Sequence, residues 1–114
     1  MAVASPHTRA IEDAHDYLGL SYQRIAKAIK ADESTLHRWR SGGEPSPVFA
    51  ARLEALEELL AELRETFRQA DDARAWLERE VPALKDRRPI DLIDEGRLEV
   101  LTGILYALNS GMAT

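Results

Sequence analysis

The side chains that most often carry catalysis are either missing from this sequence or scattered along it. Its 114 residues include no cysteine, which excludes thiol nucleophiles and thiolate zinc sites. The three histidines, His7, His15 and His37, follow no metal-ligand spacing. There is no glycine-rich phosphate loop or nucleophile motif, and the acidic residues spread over helix faces instead of forming a matched pair. The sequence therefore predicts a protein that is not an enzyme and holds no metal or cofactor.

Charge is distributed unevenly along the chain. The formal net charge is −5, yet residues 21–40 contain five basic and two acidic side chains, a net of +3. Residues 44–114 contain nine basic and fifteen acidic side chains, a net of −6. An asymmetry of this kind indicates a small nucleic-acid-binding face attached to a domain with another role.

Residues 25–39 have the pattern of a helix-turn-helix. Ile25 and Ile29 lie one helical turn apart and should face the core, while Leu36 and Trp39 should anchor the second helix from the core side. The intervening turn carries Lys30 where glycine is common, so this lysine must adopt a left-handed conformation or the turn must differ. An ordinary helical hairpin with a solvated charged face would fit the same residues.

The outward-facing residues of the second helix are polar, and we expect this face to contact DNA. Recognition helices enter the major groove by their N-terminal end, which makes Glu33 and Ser34 the expected base readers. Thr35 and His37 could support them. Arg38 and Arg40 are expected to contact phosphates and set the register.

A heptad stripe runs along a long helix predicted at about residues 47–67. Its apolar side chains recur at spacings of 4, 3, 4, 3 and 4, namely Phe49, Leu53, Leu56, Leu60, Leu63 and Phe67. So short a stripe can pack on its own chain or pair with a second copy. We expect both uses, with Leu53, Leu56, Leu60 and Leu63 contributing to a homodimer that presents two recognition helices.

Helical periodicity runs through the rest of the sequence without an alternating strand pattern. The sequence therefore predicts an all-α fold of about seven helices. Glycine and proline breaks divide the sequence into three segments. These are a helix-turn-helix region at residues 1–44, a linker and long helix at 45–70, and a small helical domain at 71–114. The helices are expected at about residues 6–18, 21–29, 33–40, 47–67, 71–80, 89–93 and 97–109.

Nothing in the sequence indicates a membrane or secreted protein. No apolar run approaches the ~20 residues of a membrane span. The first six residues lack the basic and apolar regions of a signal peptide. With no cysteine to form disulfides, we expect a cytoplasmic protein.

The C-terminal segment carries a family resemblance spread over several short motifs. They are Ala-Arg-Ala-Trp-Leu at residues 73–77, Val-Pro-Ala-Leu at 81–84, Arg-Pro-Ile-Asp-Leu-Ile at 88–93, Gly-Arg-Leu-Glu-Val at 96–100, and Leu101, Leu105 and Gly111. Together they resemble the toxin-binding domain of the MbcA/ParS/Xre antitoxins. With the upstream helix-turn-helix included, the likeness covers nearly all of the chain.

This resemblance implies an antitoxin whose partner is a RES-domain toxin that degrades NAD. It also implies that the C-terminal end covers the toxin's active site and that the complex represses its own operon by binding operator DNA. A higher hetero-oligomer with the toxin is expected. The toxin-binding residues would be Tyr106, Asn109, Ser110, Gly111, Met112, Ala113 and Thr114. The alternative is a free-standing dimeric helix-turn-helix regulator.

Overall fold

The computed structural model describes residues 6–111, whose regular elements are all helices, which confirms the predicted all-α class. A single isolated bridge between Val81 and Arg87 is the only extended pairing among these residues. The elements are α1 (Pro6–Leu18), α2 (Tyr22–Ala28), α3 (Glu33–Arg40), α4 (Pro47–Thr66), α5 (Ala70–Leu77), a short 3-10 helix (Pro82–Leu84), α6 (Pro89–Asp94) and α7 (Leu98–Asn109).

Caps and prolines set most of the helix starts, as the sequence indicates. The Ser21 hydroxyl accepts a hydrogen bond from the Arg24 backbone N–H at 3.1 Å, which satisfies an otherwise free donor at the start of α2. Proline opens both α4 and α6, where its missing N–H costs nothing. Asp32 occupies the N-cap position of α3, although its side chain makes no capping hydrogen bond.

The turn between α2 and α3 confirms the unusual role of Lys30. This residue has φ 58°, the left-handed conformation that glycine usually supplies at the end of a helix. The backbone N–H groups of Lys30 and Ala31 donate to the carbonyls of Lys27 and Ala26, at 3.1 and 2.9 Å. These two bonds close a Schellman motif with lysine in the glycine position, so the helix pair forms despite the departure from the usual pattern.

The long helix α4 lies at the centre of the fold, packed against α1 on one side and α7 on the other. The dimer residues predicted from the heptad stripe, Leu53, Leu56, Leu60 and Leu63, are each at most 1% exposed and belong to the chain's own core. In this arrangement none of them offers a surface to a second copy. A dimer would therefore have to use other residues.

One hydrophobic core runs through all three predicted segments, 1–44, 45–70 and 71–114. Polar contacts add to it where α2 meets α6, since the Arg24 guanidinium donates to both carboxylate oxygens of Asp94 at 2.8 and 3.1 Å. The Lys30 side chain packs against Gly96, where an added Cβ would come within 2.6 Å of Lys30 Cε. The helix pair α2–α3 is thus held against the C-terminal helices.

Among residues 6–111, no helix is both long enough and apolar enough to cross a bilayer.

Candidate partner-binding face and nucleic-acid interface

The last helix has a buried face and an unpartnered face. Leu98, Leu101 and Leu105 are buried, and α7 packs against α4. Three other apolar side chains of this helix are open to solvent: Val100 at 36%, Tyr106 at 59% and Leu108 at 49% exposure. Within residues 6–111 the only other large apolar side chain so exposed is Val48. We call the solvent-exposed surface of α7 that carries these three residues the α7 outer face; they are spread around the helix, and exposed apolar residues concentrated on one short helix indicate an interaction site.

The predicted toxin-binding residues lie at the end of this face, as far as the structure describes them. Tyr106, Asn109, Ser110 and Gly111 are all exposed. Asn109 also has a structural role, because its side-chain amide donates to the Glu62 carboxylate at 2.7 Å and its carbonyl oxygen accepts from the Thr66 hydroxyl at 3.0 Å. The predictions for Met112, Ala113 and Thr114 lie outside the described residues.

Two members of the outer face were not among the residues singled out from the sequence. Neither Leu108 nor Val100 is among the predicted toxin-binding residues, and Val100 enters the sequence analysis only as part of a family motif. Both stay open although α7 packs against α4 and α6. The sequence does carry a signal for such exposure, because the shortage of charge on α7 after Glu99 leaves apolar residues on more than one face of the helix.

The helix pair near the N-terminus places its apolar residues as predicted. Ile25, Ile29, Leu36 and Trp39 are all buried. On α3, the predicted base readers Glu33 and Ser34 are exposed at the N-terminal end, and Thr35 and His37 are half-buried behind them. The first turn of α3 is therefore open to an approaching ligand.

The two arginines predicted to hold phosphates differ in their surroundings. The Arg40 guanidinium donates to the Glu12 carboxylate at 2.6 Å and to the Tyr22 hydroxyl at 3.0 Å, and it stacks 3.9 Å from the centre of the Tyr22 ring. Burial alone would raise the pKa of Glu12, but the hydrogen bonds from Arg40 and Tyr22 outweigh it and hold that pKa below its ordinary value. Arg40 thus ties α3 to α1 and α2.

Arg38 has no such network. It is exposed, and no hydrogen bond or ion pair to another residue in the range 6–111 involves its side chain. Lys27 and Lys30 are exposed as well. Of the two predicted phosphate contacts, Arg38 is the one whose charge is available to an external anion.

No group of three or more histidine, aspartate or glutamate side chains in the described range, residues 6–111, is arranged to hold a metal ion. Two exposed surfaces remain as candidates for contact with a partner: the outer face of α7 and the polar face of α3.

Comparison with known proteins bears on the first of these surfaces. Residues 62–111 match a family described as the antitoxin Xre/MbcA/ParS C-terminal toxin-binding domain. The chain is also 25% identical over 103 residues to the mycobacterial cidal antitoxin MbcA of Mycobacterium tuberculosis and of Mycobacterium bovis, an alignment that covers 90% of each chain.

The fold agrees with that assignment. The chain superposes with a TM-score of 0.70 on a chain from the crystal structure of the M. tuberculosis MbcT–MbcA toxin–antitoxin complex, at 23% identity, covering 96% of this chain and 99% of the other. The resemblance predicted from the sequence is confirmed: residues 62–111, which include α7 and its outer face, match the Xre/MbcA/ParS C-terminal toxin-binding domain, and the whole chain is similar to MbcA.

Proposed function

We propose that this chain is the antitoxin of a toxin–antitoxin pair and acts by binding its toxin, not by catalysis. The observation that carries the proposal is the α7 outer face, a surface with the exposed apolar side chains Val100, Tyr106 and Leu108, which lies inside the segment that matches an antitoxin toxin-binding domain. Such a surface costs solubility unless a partner covers it, so its presence supports a bound state with another protein.

The proposal also specifies the partner and the mode of inhibition. The partner is a RES-domain toxin that degrades NAD, and the antitoxin inhibits it by blocking its active site sterically. The α7 outer face ends at Leu108, directly before the exposed residues Asn109, Ser110 and Gly111. A toxin seated on that face would bring residues 109–114 next to its surface. Filling a substrate cleft with this segment would exclude the dinucleotide.

The proposal includes repression of the chain's own operon through α3. Glu33, Ser34 and Arg38 are exposed together on that helix. The α2–α3 pair is also fixed to the toxin-binding part of the chain by the Arg24–Asp94 ion pair. A homodimer, or a larger complex with the toxin, would present two copies of α3 to DNA, and its interface would lie outside the buried leucines of α4.

Co-expression with the protein encoded next to this chain's gene tests the antitoxin function. Alone, the neighbouring protein should arrest growth and lower cellular NAD; with this chain, growth and NAD should recover. The untagged neighbour should then co-purify with the tagged chain. A chain that binds operator DNA but neither rescues growth nor retains the neighbour would instead be the free-standing regulator.

Arg38→Ala should weaken DNA binding about equally for all sequences, because a phosphate contact carries no base information. The slope of the logarithm of affinity against the logarithm of salt concentration should flatten by ~1. Arg79→Ala is the matched control, since Arg79 is also an exposed arginine but lies outside α3. Binding isotherms at several salt concentrations measure both; identical slopes for the two variants would remove Arg38 from the DNA interface.

A further inference from the structure

A groove runs between α4 and α7, beside the α7 outer face. Its wider part encloses about 450 Å³ and is lined by Ala55, Ala61 and Gly103 together with Glu58, Glu99 and Tyr106. A second hollow of about 320 Å³ continues it past Glu65 to Asn109 and Ser110. We call the two together the α4–α7 groove; it leads along Tyr106 to the start of the predicted toxin-binding tail.

The charge of the groove has one sign. Glu58, Glu62, Glu65 and Glu99 line it, and no lysine or arginine does. Of these, only Glu62 is engaged within residues 6–111, by the Asn109 amide; the other three are exposed and form no ion pair there. An occupant with basic side chains would find carboxylates along the whole length of the groove.

Gly103 gives an independent indication that something enters this groove. Glycine inside a helix costs roughly 1 kcal/mol relative to alanine, so a mid-helix glycine calls for a packing reason. Residues 6–111 supply no such reason, because a Cβ added at Gly103 would meet none of their atoms within 4 Å outside the adjacent residues and the backbone of α7 itself. The space above Gly103 is open in the free chain, which fits an external group that approaches the backbone of α7 closely.

We propose that the α4–α7 groove binds a basic segment of the toxin, with one apolar side chain over Gly103 against Tyr106 and flanking lysine or arginine side chains paired to Glu58 and Glu99. This inference rests on the proposed antitoxin function and specifies which surface of the chain the toxin uses. A second copy of the chain is a poor occupant, because a two-fold contact would place these carboxylates against one another.

The test measures the affinity of the complete chain for the co-purified neighbouring protein. Glu58→Gln combined with Glu99→Gln should weaken binding about three- to tenfold at low salt, and the loss should shrink as salt screens the pairs. The control combines Glu44→Gln with Glu80→Gln, which removes two charges from exposed positions outside the groove. Gly103→Met, which fills the open space, should weaken binding at least about tenfold at every salt concentration; Ala75→Met on α5 is its control.

Melting curves confirm that each variant is folded; Gly103→Met replaces glycine at an exposed helical position by a better helix former and should not lower the melting temperature. If the groove variants bind as tightly as their controls, the groove is not the toxin's docking site, although the antitoxin function stands. If the unmodified chain binds no neighbouring protein, the proposed function fails, and this inference fails with it. Self-association that the glutamate substitutions strengthen would assign the groove to a second copy.

Discussion

Leu60→Glu should leave the chain unfolded. Leu60 is 1% exposed in the hydrophobic core around α4, so the substitution buries a carboxylate among apolar residues and removes a large apolar side chain. The combined cost is about several kcal/mol, a large part of the roughly 5–15 kcal/mol that stabilises a small domain. Circular dichroism should show loss of helix at neutral pH, and light scattering should show an expanded or aggregated chain.

Ala51→Glu provides the matched control, because it places the same side chain on an exposed position of the same helix. It should keep the melting temperature of the unmodified chain to within a few degrees. A Leu60→Glu chain that is folded and monomeric, from a parent that is dimeric, would mean that this leucine faces a second copy in solution. That result would restore the dimer contact predicted from the heptad stripe.

The stripe shows what sequence periodicity can and cannot predict. Spacings of 3 and 4 correctly indicate a helix with one apolar face, because that inference depends only on the geometry of α4 itself. They do not indicate what covers the face. Here α1 and α7, far apart in sequence from α4 and from each other, cover it from two sides. A partner from the same chain and a partner from a second copy produce the same local pattern.

The candidate surfaces also include some features that local sequence predicts and others that depend on contacts between distant segments. Burial of Leu36 and Trp39 and exposure of Glu33 and Ser34 follow from the helical positions within α3, and the sequence predicts them. The hydrogen bonds from Arg40 to Glu12 and Tyr22 join residues from three helices, and no local sequence pattern indicates these bonds. The same holds for the groove, whose walls α4 and α7 become neighbours only in the folded chain.

The two faces of α7 also connect the parts of the proposed function. The buried face holds α7 to α4 through Leu101 and Leu105, while Asn109 fastens its last turn to Glu62 and Thr66. A surface fixed in this way has its binding conformation before the partner binds, and this preorganisation lowers the entropic cost of binding. We therefore expect affinity for the toxin to reside in the body of the domain, and occlusion of its active site to be a separable property of the residues that follow.

Truncation after Gly111 should separate these two properties. It removes residues 112–114 and keeps both hydrogen-bonding contacts of Asn109 with α4, so the shortened chain should melt at the same temperature as the full chain. It should still co-purify with the toxin, because the α7 outer face and the α4–α7 groove are intact. Protection in the growth assay should nevertheless be largely lost, since the substrate cleft would no longer be filled.

The comparison needs a control that alters the same residues without shortening the chain. Met112→Ala keeps the length and the small, uncharged character of the tail, and it removes only the adaptable side chain that could fill an irregular pocket. Its protection should fall between that of the full chain and that of the truncated one. If the truncated chain restores growth as fully as the complete chain while remaining bound to the toxin, residues 112–114 take no part in inhibition. Neutralisation would then come from the surface of α7 itself, by covering the cleft instead of entering it.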